Sequence, residues 1–224
     1  LARTRGVLGG AFGYLASISY AVLAAVGAGR HPRARSLSAG ELLATVLREA
    51  LRDGLSRPIG LFEGEAMGAL TILAPAPPAR NSARGVTPGT LRVLREELAR
   101  AHHLCAAVLA GEAGFERVFA PFVPPPDAAR LRLVLRGEDT DALRQAAGWA
   151  TGGFVGLLLE LETVGVALRP LPGVQVEGDE ATLVVLLTGE ATREQRGQLL
   201  AIAAGFARRL RGAVPGVGCE VSLR

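Results

Sequence analysis

Three short segments of the first half of the chain recur in the second half in the same order. The segment pairs are 1–12 with 98–109, 63–74 with 177–187, and 90–100 with 198–208. Self-similarity in a fixed order is the signature of a duplicated structural unit. The sequence therefore predicts an α/β fold of two similar β-β-α-β-β-α modules, 1–86 and 87–224, packed as a pseudo-dimer. The number of positions that separate matching segments changes along the chain. This change predicts an inserted strand in the second copy, near 121–137.

The front of each copy is predicted to be a hairpin followed by a helix. Residues 7–26 place bulky side chains mostly on even positions, a period of two that is typical of a strand, and 104–123 turns near a glycine. Ser38 with Glu41 three positions on predicts a capping box at the start of the first helix. Gly54 is suited to the end of that helix. The corresponding helix of the second copy is predicted to begin near Thr140.

The back of each copy is predicted to be a strand pair and a closing helix. The strand pairs are 58–63 with 68–74 and 173–177 with 181–188, followed by a last strand at 219–223. Thr87-Pro88 forms an N-cap with proline at the first helical position, and Thr192 with Gln195 forms a second capping box.

The uncharged run at 6–29 has two further interpretations. Its 24 residues are long enough to span a membrane, although six glycines, two serines and two tyrosines make it only mildly hydrophobic. Val7, Ala11, Tyr14 and Ile18 also follow helical spacing. We favour a buried hairpin, and a membrane-anchored protein with this run as its span remains an alternative.

The second half has a competing interpretation of its own. Residues 130–223 taken alone read β-α-β-β-α-β, which is the ferredoxin-like order. On this alternative the second half is one complete domain that follows a mixed first domain, and the repeat is accidental.

The order of elements resembles the roadblock/LC7 family, which is related to the longin fold. The segments that carry the resemblance are LARTRGVLGGAF (1–12), LARAHHLCAAVLAGEAG (98–114) and ATLVVLLTGEATREQRGQLLAIAAGFARRL (181–210). The first copy departs from the pattern by lacking most of a leading helix, and the second by its extra strand. The resemblance implies a module that dimerises through its sheets and binds small Ras-like GTPases, as a scaffold or as a regulator.

Arginine is the sole strongly basic residue type, because the 25 basic residues include no lysine. Arg30, Arg33 and Arg35 cluster around a proline in a predicted loop, and we predict them as partner-binding residues, since arginine pairs well with phosphates and carboxylates. The group at 208–211 is predicted to be a solvated helix end. The net charge of +4 is modest, so nucleic-acid binding through arginine clusters is an alternative and not the first expectation.

No residue set predicts catalysis, a cofactor or a metal site. His102 and His103 are adjacent and cannot chelate one metal as an i, i+4 pair can. The pairs Glu63/Glu65 and Glu177/Asp179 flank glycines between apolar runs, which is typical of hairpin turns. We therefore predict a non-enzymatic interaction platform with a protein partner. Further homo-oligomerisation remains open.

The two cysteines, Cys105 and Cys219, cannot form a disulfide framework. Free thiols suggest a reducing compartment, so a cytoplasmic location is expected.

Overall fold

The computed structural model describes residues 1–53, 55–61, 65, 67–76, 78 and 80–224. It is a mixed α/β structure with 48% helix and 15% strand. The chain divides into two compact units, the first formed by 1–10 and 14–122 and the second by 11–13 and 123–224. The sequence predicts a division at 86/87 instead. The difference arises because the helix that begins at Pro88 packs on the helix before it, within the first unit.

The described part of the first unit contains three α-helices and short 3₁₀ turns. The α-helices are α1 (Ser17–Gly29), α2 (Ala39–Arg52) and α3 (Pro88–Leu109), and the 3₁₀ segments are Ala34–Ser36 and Phe115–Phe119. α2 packs on both α1 and α3. The capping boxes of Ser38 with Glu41 and of Thr87 with Thr90 hold the starts of α2 and α3, which confirms both predicted helix starts. Gly54, the predicted end of α2, lies outside the described residues.

The predicted hairpin at 7–26 is wrong, because 17–29 is helical. Ser19, Val22, Leu23 and Gly27 are the buried residues of α1, and their spacing is helical. A side chain at Gly27 would bring its Cβ within 3.0 Å of the Val46 backbone, so the small residues that imitated a strand pattern let α1 approach α2. The predicted hairpin at 104–123 is also wrong, since α3 continues to Leu109 and a 3₁₀ turn follows.

A buried network of ion pairs links the first residues of the chain to α3. Arg5 binds the Glu97 carboxylate through two hydrogen bonds of 2.7 and 2.9 Å, and Arg100 donates a third at 3.1 Å. Arg100 also donates to the Val118 carbonyl. Because the carboxylate is buried, its charge requires these partners, and the network fixes the segment before α1.

Among the described residues, the predicted strand pair 58–63 with 68–74 is reduced to an isolated bridge between Ile59 and Ile72. Residues 62 and 63 of that prediction lie outside the described residues. Asn81 stabilises the segment instead, because its side-chain oxygen accepts the backbone N–H groups of Ile72 and Ala83.

The second unit has the order β-α-β-β-α-β. Its elements are β1 (Arg130–Arg136), α4 (Thr140–Glu162), β2 (Leu168–Pro170), β3 (Gln175–Glu177), β4 (Glu180–Leu187), α5 (Arg193–Ala213) and β5 (Gly218–Leu223). The pairings among the described strands are antiparallel, in the order β2-β4-β1-β5, and β3 also pairs with β4. β2 and β3 therefore act as one interrupted edge strand. This is the ferredoxin-like topology of the alternative interpretation, and the pseudo-dimer of equivalent modules is not confirmed.

One face of this sheet is covered by α4 and α5. Leu131, Leu133 and Leu135 of β1 point to that face and are fully buried. The predicted strands at 130–137, 181–188 and 219–223 are confirmed, as are the helix at 140 and the Thr192–Gln195 capping box. Residues 11–13 belong to this unit because the Phe12 ring packs edge-to-face on Phe154, 5.4 Å between centroids.

In the part of the chain that the structure describes, we find no helix with both the length and the hydrophobicity that crossing a membrane requires.

Candidate functional site

The face of the sheet opposite α4 and α5 carries a row of arginines that crosses the strands. Arg224 stands opposite Arg130, and the two exchange backbone hydrogen bonds of 2.6 and 3.2 Å. Arg130 in turn stands opposite Leu186, which is paired on its other side with Arg169 of β2. Strands lie about 4.8 Å apart. The register therefore places three guanidinium-bearing residues across the sheet in one line.

A cleft of about 680 Å³ opens on this face. β1, β3, β4 and the segment at 123–128 supply most of its lining. The lining residues are Val123, Pro124, Pro126, Ala128, Arg130, Arg132, Leu171, Gln175, Val184 and Arg224. We call it the arginine cleft, after Arg130, Arg132 and Arg224.

The arginine cleft is positively charged. None of the described residues that line it is an aspartate or a glutamate. Like charges directly opposite one another on a sheet are destabilising, and Arg130 and Arg224 are such a pair. An anion bound between the two guanidinium groups relieves their repulsion, so the geometry suits a phosphate or a carboxylate.

The other end of β1 on the same face is neutralised. Arg136 binds Glu180 at 2.6 Å and Glu220 at 2.8 Å. The hydrogen bond and charge of Glu180, followed by those of Glu220, hold the pKa of Arg136 above its usual range. The sheet face is therefore divided into a basic end and an end whose arginine is already paired.

The predicted site residues Arg30, Arg33 and Arg35 do not line a common cleft among the described residues. Arg30 caps the end of α1 and lines a second cleft, of about 420 Å³, in the first unit. That cleft also contains Glu49 and Asp53, so its charge is mixed. Arg33 at the start of the 3₁₀ segment Ala34–Ser36 and Arg35 within it are exposed, and neither lines that cleft.

The other residues singled out in the sequence have structural positions. Glu177 and Asp179 flank Gly178, whose φ of 60° makes the tight turn between β3 and β4, so the hairpin-turn interpretation of this pair is confirmed. Glu63 of the first acidic pair lies outside the described residues. Arg209 at the end of α5 pairs with Glu160 at 3.1 Å. No cluster of three or more metal-ligating side chains occurs among the described residues, His102 and His103 included.

The cleft arginines were missed in the sequence analysis, although a signal was present. The segment RLRLVLR alternates arginine with leucine over residues 130–133, and a period of two places Arg130, Arg132 and Arg136 on one face of a strand. The arginine cluster around a proline in a predicted loop pointed to Arg30 as a binding residue instead. The contribution of Arg224 required the pairing of β5 with β1, which no local pattern shows.

No family model matches the chain. A curated protein, Nuclear poly(A) polymerase 1 of Arabidopsis thaliana, is 29% identical to it over 94 residues, which are 42% of this chain and 13% of that protein. The chain therefore matches a small part of that relative's length.

Proposed function

We propose that the second unit binds a single-stranded nucleic acid, with the phosphate backbone held in the arginine cleft. The observation that carries the proposal is the opposed pair of Arg130 and Arg224 beside Arg132, in a cleft whose described lining has no aspartate or glutamate. Arginine binds phosphate oxygens in a bidentate manner, and such contacts dominate the affinity of nucleic-acid complexes.

The fold and the relative support the same class of ligand. The RRM, a four-stranded sheet with helices on one face, binds single-stranded RNA on its other face, and the second unit has the same arrangement of sheet and helices. The likeness to a poly(A) polymerase makes polyadenylate the first ligand to test. The described cleft lining has no aromatic side chain on which bases would stack, so we attribute the affinity to the backbone contacts.

The experiment compares two variants that lose the same charge. Arg132→Ala removes a cleft arginine, whereas Arg144→Ala removes an exposed arginine of α4, which packs on the opposite face of the sheet. Binding of a fluorescent oligoadenylate of about 12 nucleotides is measured by anisotropy at about 50 mM salt. We expect roughly a tenfold loss of affinity for Arg132→Ala and less than about twofold for Arg144→Ala. Equal losses, or no binding by the unmodified chain, would overturn the proposal.

The platform for a small Ras-like GTPase stays a prediction, and so does the absence of enzymatic activity. GTP hydrolysis by such a GTPase, measured with and without this chain, tests the first.

A further inference from the structure

β5 forms an open edge of the sheet. Among the described strands it pairs with β1 alone, and Arg224 at its end exchanges backbone hydrogen bonds with Arg130. Residues that face a neighbouring strand alternate with residues that face away along an antiparallel pair, so the backbone N–H and C=O groups of Val221 and Leu223 point away from β1. An edge of this kind can accept another strand.

The opposite edge of the sheet is protected, whereas the β5 edge is not. β2 and β3 have three residues each, and Pro170 of β2 has no N–H to donate. β5 is a continuous strand of six residues without a proline. Val221 and Leu223 are only half-buried, although their partners on β1, Leu133 and Leu131, are fully buried. A further strand beside β5 would cover this apolar surface.

The charges of β5 favour a second copy of the same strand. Glu220 and Arg224 are both exposed and lie on the open face of the sheet, on either side of Ser222. Two antiparallel copies of β5 with Ser222 opposite Ser222 place Glu220 of each copy opposite Arg224 of the other, in the close positions that are not hydrogen-bonded. Centring the pair on Glu220 or on Arg224 instead would oppose like charges, which is destabilising.

The two ends of the β5 edge are complementary in charge. At one end Arg136 is shared by Glu180 and Glu220, so two carboxylates meet one guanidinium. Only Oε2 of Glu220 accepts the hydrogen bond from Arg136, at 2.8 Å, and the Glu220 side chain is 58% exposed. The other end carries the opposed pair Arg130 and Arg224. An antiparallel second copy brings the acidic end of one edge to the basic end of the other.

We infer that β5 is a dimerisation edge, at which a second copy of this chain pairs antiparallel about a twofold axis at Ser222. Val221 of each copy exchanges backbone hydrogen bonds with Leu223 of the other, and two ion pairs between Glu220 and Arg224 flank the axis. The inference does not rest on the proposed function. A guanidinium has several N–H donors, so Arg224 can bind Glu220 of the second copy and a phosphate together.

The test is a charge complementation, measured by sedimentation equilibrium over a dilution series. The unmodified chain is expected to dimerise reversibly. Glu220→Arg opposes two arginines and Arg224→Glu opposes two glutamates, so each variant alone should raise the dissociation constant of the dimer by about tenfold or more. An equimolar mixture of the two variants should dimerise as the unmodified chain does, because every glutamate then faces an arginine. Glu177→Arg reverses an exposed charge on β3, at the other edge, and should leave the dimer unchanged.

A disulfide trap tests the register. Opposed Cα atoms that are not hydrogen-bonded lie about 4.5 Å apart, which a disulfide can span. In a Cys219→Ser background, Ser222→Cys should therefore form a covalent dimer on oxidation with copper phenanthroline, whereas the exposed control Ser36→Cys should not.

Three results would overturn the dimer. They are an unmodified chain that is monomeric at every concentration, single charge variants that dimerise as well as the unmodified chain, and a mixture of folded variants that fails to associate. Circular dichroism shows whether the variants are folded. A Ser222→Cys chain that cross-links no more than Ser36→Cys would overturn the register, independently of the charge variants.

Discussion

Arg5 forms a bidentate ion pair with Glu97, which lies 92 positions further along the sequence. The Arg5 side chain is only 12% exposed and the Glu97 side chain only 6%. Loss of the carboxylate leaves Arg5 and Arg100 without their shared anionic partner in a buried site. We therefore expect Glu97→Gln to lower the free energy of unfolding of the first unit by about 3–5 kcal/mol in urea denaturation followed by circular dichroism.

The control for that prediction is Glu96→Gln, one position away on α3. Glu96 binds Arg92 at 2.6 Å, but both side chains are more than a third exposed. Exposed pairs contribute about 0–1 kcal/mol. If both variants lose the same stability, the buried network does not fix the start of the chain.

Gly27→Ala is expected to destabilise the contact between α1 and α2. The new Cβ would lie 3.0 Å from the Val46 Cα, which is backbone and cannot turn aside. Overpacking of this kind costs about 1–3 kcal/mol. Gly29→Ala, in the same helix, meets no atom within 4 Å and should be neutral or slightly stabilising in the same thermal-unfolding measurement. Two variants of equal stability would show that the helices do not approach at Gly27.

Much of the second unit was predictable because its patterns are local. The alternation at 130–136 and the cap at Thr192 correspond to observed elements, and so does the cap at Ser38 in the first unit. Local periodicity gave a wrong prediction at 7–26, because the small residues there allow a contact between two helices and do not form a strand. That contact is seen only when the position of Val46 in space is known. The arginine cleft depends on β5 lying beside β1, a pairing of residues about 90 positions apart that periodicity does not encode.

Ser38→Ala is expected to lower stability in a pH-dependent way. Hydrogen bonds from the Ser38 hydroxyl and backbone N–H lower the pKa of Glu41. A lowered carboxyl pKa gives stability that is present above the unfolded-state pKa and is lost as the pH falls through the folded-state value. At neutral pH the variant should lose about 1 kcal/mol, as is typical of a lost N-cap.

As the pH falls through the lowered pKa of Glu41, the difference in stability between Ser38→Ala and the unmodified chain should shrink, because Glu41 becomes protonated in both. Thermal unfolding across this range measures it. A constant difference at all pH values would mean that Glu41 does not take part in the cap.

The two thiols are expected to react at different rates with a maleimide or a disulfide reagent. Burial raises the pKa of both Cys105 and Cys219, so both should react more slowly at neutral pH than an exposed thiol and faster as the pH rises. Cys219 is half-buried and Cys105 is fully buried. Cys219→Ser should therefore remove almost all native-state reaction, and fast labelling of that variant would contradict the position of Cys105.

The salt dependence of oligoadenylate binding tests the arginine cleft most directly. Three arginines on phosphates predict that the logarithm of the association constant falls with the logarithm of salt concentration with a slope of about −2 for a single strand. Arg132→Ala should reduce that slope by about 0.7, while Arg144→Ala should leave it unchanged. A slope near zero, or an Arg132→Ala slope equal to that of the unmodified chain, would show that this face of the sheet does not bind nucleic acid.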